Sequence, residues 1–387
     1  MPISVASPFR APRAYRIAIS VFFFIQGLTF ASWASRIPDI KNALSLSDAV
    51  LGAILLALPI GQFFALALSG YVVTRYGSRI VLITTSILYP ATLLVIGLAS
   101  TPVFLIIALL LTGFFGNIYN IAVNTQAVGI ETLYGRSIMA SFHGLWSLAG
   151  FTGGLIGTFM IAQDLTPFQH YWVINGITLI LTFLFVKSTL PRDAKSDQAK
   201  PKLFVKPDKV ILTLGVLAFS CMICEGTMFD WTGVYFDKVV NTRKELTQLG
   251  FVAFMSTMAG GRLIADFLIT KLGAKRMIQI SGVMIFTGIT ILVAFPYFVP
   301  SIIGLLITGF GVSSVVPLTY GLAGQSKTMP AGQALAAVSS LGFLGFLLAP
   351  PLIGFISEAY TLRVAFALIA LMGVVVVFLS GKVQKQA

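Results

Sequence analysis

Only 10% of this 387-residue chain is Asp, Glu, Lys or Arg, and a few ionisable and amide side chains stand within long apolar runs. Glu225 and Asp230 share one run, Arg262 and Asp266 another, and His143 a third. A carboxyl group deep in apolar surroundings can be charged in one environment and neutral in another, which suits Glu225, and beside it Asp230, to proton coupling. Asp230 is equally placed to pair with Arg36 at the end of the first run. Arg262 and Asp266 are four residues apart on one helical face, the spacing of an internal ion pair or of a latch near a helix end. Asn117, Asn120 and Asn124 make a polar stripe that can hydrogen-bond a hydroxylated solute or a neighbouring helix. His143 and Trp146, one turn apart, set a donor beside an aromatic platform suited to a sugar-like ring. Gln26 and Trp33, seven apart with Thr29 between them, share a face of the first run.

These residues need elements that hold them away from water. The chain is 57% hydrophobic, whereas a soluble domain carries about 25% charged residues. Lipid must therefore be part of its solvent. A bilayer core needs about 20 apolar residues per helical span. Twelve runs meet that need: Tyr15–Ser35, Val50–Thr74, Ile80–Ala99, Val103–Val128, Ser137–Ile161, Tyr171–Val186, Val210–Val234, Leu246–Thr270, Met277–Phe295, Ser301–Ala323, Ala334–Ile356 and Val364–Ser380. The strand alternation of a membrane barrel is missing. The first run is too long for a cleaved signal peptide and reads as the first span. Cys221 and Cys224, inside the seventh run, read as small buried residues. Pro317 and Pro350-Pro351 mark expected bends.

The net charge of +13 does not signal nucleic acid, because of its distribution. With the N-terminus inside, 19 Lys and Arg fall in inner segments and six in outer loops (Arg36, Lys41, Lys238, Arg243, Lys244 and Arg363). That asymmetry places both termini in the cytoplasm. The longest polar stretch, 187–209, reads as a cytoplasmic linker between a six-helix bundle at 1–186 and another at 210–387. The halves repeat. Thr74-Arg75-Tyr76-Gly77-Ser78-Arg79 is matched by Thr270-Lys271-Leu272-Gly273-Ala274-Lys275, Leu51-Gly52 by Leu249-Gly250, Gln26-Gly27 by Glu225-Gly226, and Ile156-Gly157 by Ile353-Gly354. In helix 5, Gly150, Gly153, Gly154 and Gly157 form a small-residue surface for close helix packing.

Six plus six helices, a basic central loop and a glycine-basic turn after the second and eighth spans resemble the major facilitator superfamily. The loop signature is carried by Gly70, Arg75, Gly77 and Arg79, with Gly273 in the second copy; Thr74 and Thr270 stand where the family has an acidic residue. Trp33-Ala34-Ser35-Arg36-Ile37-Pro38, His143-Gly144-Leu145-Trp146-Ser147, Glu225-Gly226 and Asp230-Trp231 resemble the MosC-like branch, with which rhizopine-type sugar derivatives are associated. The resemblance implies an all-α fold of twelve membrane helices in two pseudo-symmetric bundles. It also implies that helices 1, 4, 5 and 7 surround a central solute site, lined by Gln26, Thr29, Trp33, Asn117, Asn120, Asn124, His143 and Trp146. Arg262 and Asp266 join the loop residues as gating candidates.

The function expected is alternating-access transport of a small polar solute, a sugar or sugar derivative favoured, across the inner membrane, coupled to protons through Glu225. A drug or metabolite exporter of the same fold, or a membrane receptor that transports nothing, are the alternatives. The sequence contains no phosphate-binding Gly-x-x-x-x-Gly-Lys-[Ser/Thr] loop and no His-Glu-x-x-His, so neither an ATP motor nor a zinc hydrolase is expected. No cofactor or metal is expected. The partners are the solute, protons and the bilayer, and a monomer is the expected unit.

Overall fold

In the computed structural model the apolar runs are helices. The structure describes residues 12–135, 138–191, 208–326 and 329–383, so most of the 187–209 stretch lies outside the described residues. The helices are α1 (Pro12–Ala34), α2 (Ile37–Ala43), α3 (Asp48–Leu55), α4 (Ala57–Tyr76), α5 (Ser78–Gly97), α6 (Pro102–Tyr134), α7 (Met139–Ala162) and α8 (Pro167–Phe185), followed by α9 (Lys209–Lys238), α10 (Leu249–Ala294), α11 (Phe298–Val312), α12 (Val315–Gly324), α13 (Ala331–Ala359) and α14 (Leu362–Val383). Among the described residues these build twelve spans. Eleven are long and apolar enough to cross a bilayer on that basis alone. The twelfth, residues 249–272, is the one that carries Arg262, Asp266 and Lys271.

Local chemistry sets the helix ends. Thr101 and Thr166 cap α6 and α8 ahead of a proline in the first turn, and Asp208 accepts from the amides of Val210 and Ile211 to start α9. Two spans are broken where one helix each was expected. Leu56 separates α3 from α4, and Ser313-Ser314 separates α11 from α12. In both cases a proline, Pro59 or Pro317, stands just beyond the break and cannot donate to the carbonyl one turn back. Pro90, Pro350 and Pro351 interrupt nothing; α5 and α13 run on through them.

The two expected helices at Leu246–Thr270 and Met277–Phe295 lie within α10, which Gly273, with a non-helical backbone, divides into two spans. Gly273 has φ 76° and ψ 155°, and its counterpart Gly77 between α4 and α5 has φ 82° and ψ 143°. This left-handed backbone favours glycine, and its recurrence shows the sequence repeat in three dimensions. A second close contact repeats as well. A Cβ on Gly113 of α6 would strike the Leu58 carbonyl of α4, and a Cβ on Gly309 of α11 would strike the Phe254 carbonyl of α10. Both residues of the pair are displaced by 196 positions.

The halves meet along two seams. The glycine face of α7 packs on α10, Gly150 against Met255 and Gly154 against Phe251 and Val252, while Gly153 faces α1. Across the molecule α3 packs on α13, where a Cβ on Gly52 would lie 2.6 Å from the Pro350 carbonyl.

Candidate functional site

A cavity of about 360 Å³ lies between the halves. Its first-half wall includes Gln26 of α1, Gln62 of α4, Tyr89 of α5, Asn117 and Asn120 of α6, and His143 and Trp146 of α7. The second half contributes Glu225 and Phe229 of α9, Arg262 of α10, Val316 of α12, and Phe343 and Phe346 of α13. His143, in the second turn of α7 toward the end that carries the chain termini, is exposed, so the cavity opens that way.

The polar wall is organised from a backbone anchor outward. The Asn124 amide nitrogen donates to the Asn120 carbonyl at 2.8 Å and to Asn120 Oδ1 at 3.0 Å. The same Oδ1 accepts Gln26 Nε2 at 3.2 Å. Asn117 is tied to Ser69 at 2.9 Å. Opposite them, Arg262 donates to Glu225 at 3.2 Å and to Ser147 of the first half at 2.7 Å. Arg262 thus bridges the halves. The side chains of Glu225 and Arg262 are 8% and 16% exposed, so the pair sits at the edge of the cavity with little water. A carboxylate there is compensated by the guanidinium, and the pair adds no net charge.

Above the cavity Phe229 is an aromatic hub. Its ring centroid lies 5.2 Å from Phe30, 6.1 Å from Trp146 and 5.9 Å from Phe346. Beyond it, at the end opposite the termini, a polar lock joins the halves. Asp48 accepts Lys238 at 2.7 Å and Ser357 at 2.6 Å from the second half, and Lys41 at 3.1 Å from its own. Glu358 returns the contact by accepting from the amides of Asp48 and Ala49 at the start of α3, where a helix N-terminus favours negative charge. The far end is shut twice, by rings and then by charges.

The structure brings Gln26, Asn117, Asn120, His143, Trp146, Glu225 and Arg262 into one cavity wall. Asn124 lies behind that wall and holds Asn120 in place. Thr29 is buried, donating to Ile25 of its own helix at 2.8 Å. Trp33, 2% exposed, packs in the core. It shares the Gln26 face but stands two turns, about 10 Å, further along, past the aromatic hub. Asp230, five residues and so about 140° round α9 from Glu225, does not line the cavity. It does not pair with Arg36 either. That guanidinium is fully buried and donates to Asp39 at 2.6 Å and to His170 at 3.1 Å. Arg262 belongs to the cavity wall, reaching Glu225 on the adjacent helix; the side chain of Asp266 lies outside the described residues. At the first glycine-basic turn, Thr74 donates to Gly70 of its own helix and Arg75 to the Tyr71 hydroxyl; Arg79 is half-buried at the start of α5. Cys221 and Cys224 are free and buried in the second half.

Phe30 and Phe229 were not legible as single residues among thirty-two phenylalanines. The internal repeat does point to them: each follows by four the matched pair Gln26 and Glu225.

Two repeated six-span bundles with a polar cavity between them define a polytopic membrane transporter. The chain belongs to the Major Facilitator Superfamily, whose family model matches residues 17–329 and again 244–384. It is 32% identical over 357 residues to an uncharacterised MFS-type transporter of Yersinia pestis, covering 92% of each chain. It is also 32% identical over 359 residues to the membrane protein MosC of Rhizobium meliloti, covering 93% of this chain and 88% of that one, which places it with the MosC branch. Among solved structures, an inward-facing bacterial homologue of the human lysosomal transporter Spinster superposes with a TM-score of 0.77, at 11% identity and 97% coverage of each chain.

Proposed function

We propose that the chain is a secondary transporter that carries a small polar organic solute, a sugar or sugar derivative favoured, across the inner membrane by alternating access, with Glu225 as the proton-coupling group. The observation that carries this reading is a polar and aromatic cavity on the seam of two repeated halves, closed at one end only. The solute enters from the open end, binds between the halves, and leaves when the far lock opens and the terminus side closes. The 19-to-6 excess of basic residues supports cytoplasmic termini, which makes the open end the cytoplasmic one. One chain contains the whole cavity, which supports a monomer as the working unit.

Glu225 fits coupling because its alternative partner is at hand. Ionised, it holds Arg262; protonated, it can no longer offer that guanidinium a counter-charge. Arg262 also holds Ser147, so the change reaches the seam. Asp230, away from the cavity, is a secondary candidate in the same helix.

The test uses purified protein in liposomes, with a solute chosen by a stabilisation screen of sugars, amino sugars, organic acids and drugs. Glu225→Gln should still exchange solute at equal concentrations and lose accumulation driven by a pH gradient. It should also lower stability by about 1–3 kcal/mol, because Arg262 loses its counter-charge. Glu225→Gln with Arg262→Gln should recover much of that stability, since removing both partners of a buried pair is often near neutral, and should remain uncoupled. Accumulation by Glu225→Gln equal to wild type would show that the coupling proton is carried elsewhere or not at all.

A further inference from the structure

The two walls of the cavity differ in kind. The first half offers neutral hydrogen-bonding groups. The second half offers hydrocarbon, from Met222, Val316, Phe343 and Phe346, together with the Glu225–Arg262 pair. Which amide atoms of the first wall remain free follows from the network. Asn124 must turn its nitrogen to the Asn120 backbone carbonyl, which accepts only. The same nitrogen then requires oxygen at Asn120 Oδ1, and that oxygen requires nitrogen from Gln26. Gln26 is left with its carbonyl oxygen, and Asn120 with its amide nitrogen. An acceptor and a donor therefore stand side by side with their orientation fixed by a backbone group. Gln62 adds both kinds, its amide having no partner among the described residues.

A hydroxyl group both donates and accepts, so neighbouring hydroxyls on a ring satisfy an adjacent acceptor and donor together. An ammonium or carboxylate does not. The full charges on the cavity wall already neutralise each other at 3.2 Å. An ammonium drawn to Glu225 would also meet Arg262, and a carboxylate drawn to Arg262 would also meet Glu225 and the Gln26 oxygen, so neither gains a net counter-charge. An ion brought into this site without a counter-charge bears most of its desolvation cost unrepaid.

Building on the transport reading, we propose that the solute is uncharged when bound: a compact polyhydroxylated ring. Its hydroxyls are held by Gln26, Asn120 and Gln62 of the first half, and its C–H face is covered by the rings of the second. The first half selects the solute, and the second senses it by contact alone.

The test is binding to the full-length protein in detergent, by thermal shift and equilibrium titration, at a pH where amines and carboxylates are ionised. The probes are glucose, glucosamine and glucuronate; galactose, galactosamine and galacturonate; and myo-inositol. At least one neutral probe should bind, and more tightly than its charged relatives by roughly tenfold or more. Gln62→Glu, or Asn117→Asp should the first fail to fold, should shift preference toward the amino sugar by a similar factor, an effect that a purely structural role would not produce. Tighter binding of a charged probe by the wild type, or no response to any neutral probe, overturns the proposal. The two readings fail separately. A neutral probe that binds but never crosses liposomes counts against transport and leaves this inference standing. A charged solute that is transported does the reverse.

Discussion

Asp48 is the residue through which the far end should be easiest to release. Asp48→Asn keeps the side-chain size and one acceptor while removing the charge that gathers Lys238 and Ser357 from the opposite half. The Lys238 side chain is 41% exposed, so water compensates for most of its loss and about 0.5–1 kcal/mol is at stake. The Ser357 bond is buried, and its change from a charged to a neutral acceptor removes about 1 kcal/mol. Lys41, 4% exposed, belongs to the same half as Asp48 and keeps the Leu46 carbonyl at 2.7 Å, so its loss affects open and shut states alike. The bias against the shut far end is then about 1.5–2 kcal/mol, roughly 10- to 30-fold in the ratio of states. A far-open state populated at about 1% in the wild type would rise to roughly 10–25%. Spin labels at Ala43 and Glu245, exposed and on opposite halves, report the separation, with Cys221 and Cys224 changed to Ser because each thiol already points at a backbone carbonyl. Asp48→Asn should add a longer distance to the distribution. An unchanged distribution in a well-folded sample would mean that the Asp48 charge does not hold the far end shut, and that the aromatic layer and the remaining contacts, Glu358 to the α3 amides among them, suffice.

Two further outcomes are expected. Gly113→Ala and Gly309→Ala should each lower the thermal midpoint, by a destabilisation of about 1–3 kcal/mol from the added Cβ against a backbone carbonyl, whereas Gly70→Ala, which meets nothing within 4 Å, should leave it unchanged; equal effects would discount the repeated helix contact. A Cys at Ser196, which lies outside the described residues, should resist impermeant thiol reagents applied to intact cells, and ready labelling would reverse the assigned orientation.

Much of the architecture was legible because lipid simplifies the code. Apolar length marked the spans, eleven of them by itself, and matches at nearly constant offset marked the duplication. The helix breaks near Pro59 and Pro317 were less so. Proline in a membrane helix need not break it, and α5 and α13 run on through Pro90 and Pro350, so its presence does not announce a break. The site was legible where helical spacing suffices, as for Asn117 with Asn120 and His143 with Trp146, whereas Gln26 was set beside Asn120 only by what the family resemblance implies. It was obscure where a long side chain crosses between helices. Arg262 has a plausible partner four residues on, and nothing in one-dimensional spacing favours Glu225, 37 positions away. The lock was hidden for another reason. Lys41 and Lys238 fell on the outer side of a charge tally, which records how many cations face outward but not what they hold.

Arg262 has one bond in each half, to Ser147 and to Glu225. Whatever loosens its hold on one partner alters what it can give the other. Reciprocity makes this a two-way relation: if protonating Glu225 eases the halves apart by some factor, then parting the halves changes the affinity of Glu225 for its proton by that same factor. The work drawn from an ion gradient and the motion of the bundles would be one free energy, stored in the bonds of a single guanidinium, with no separate relay between them.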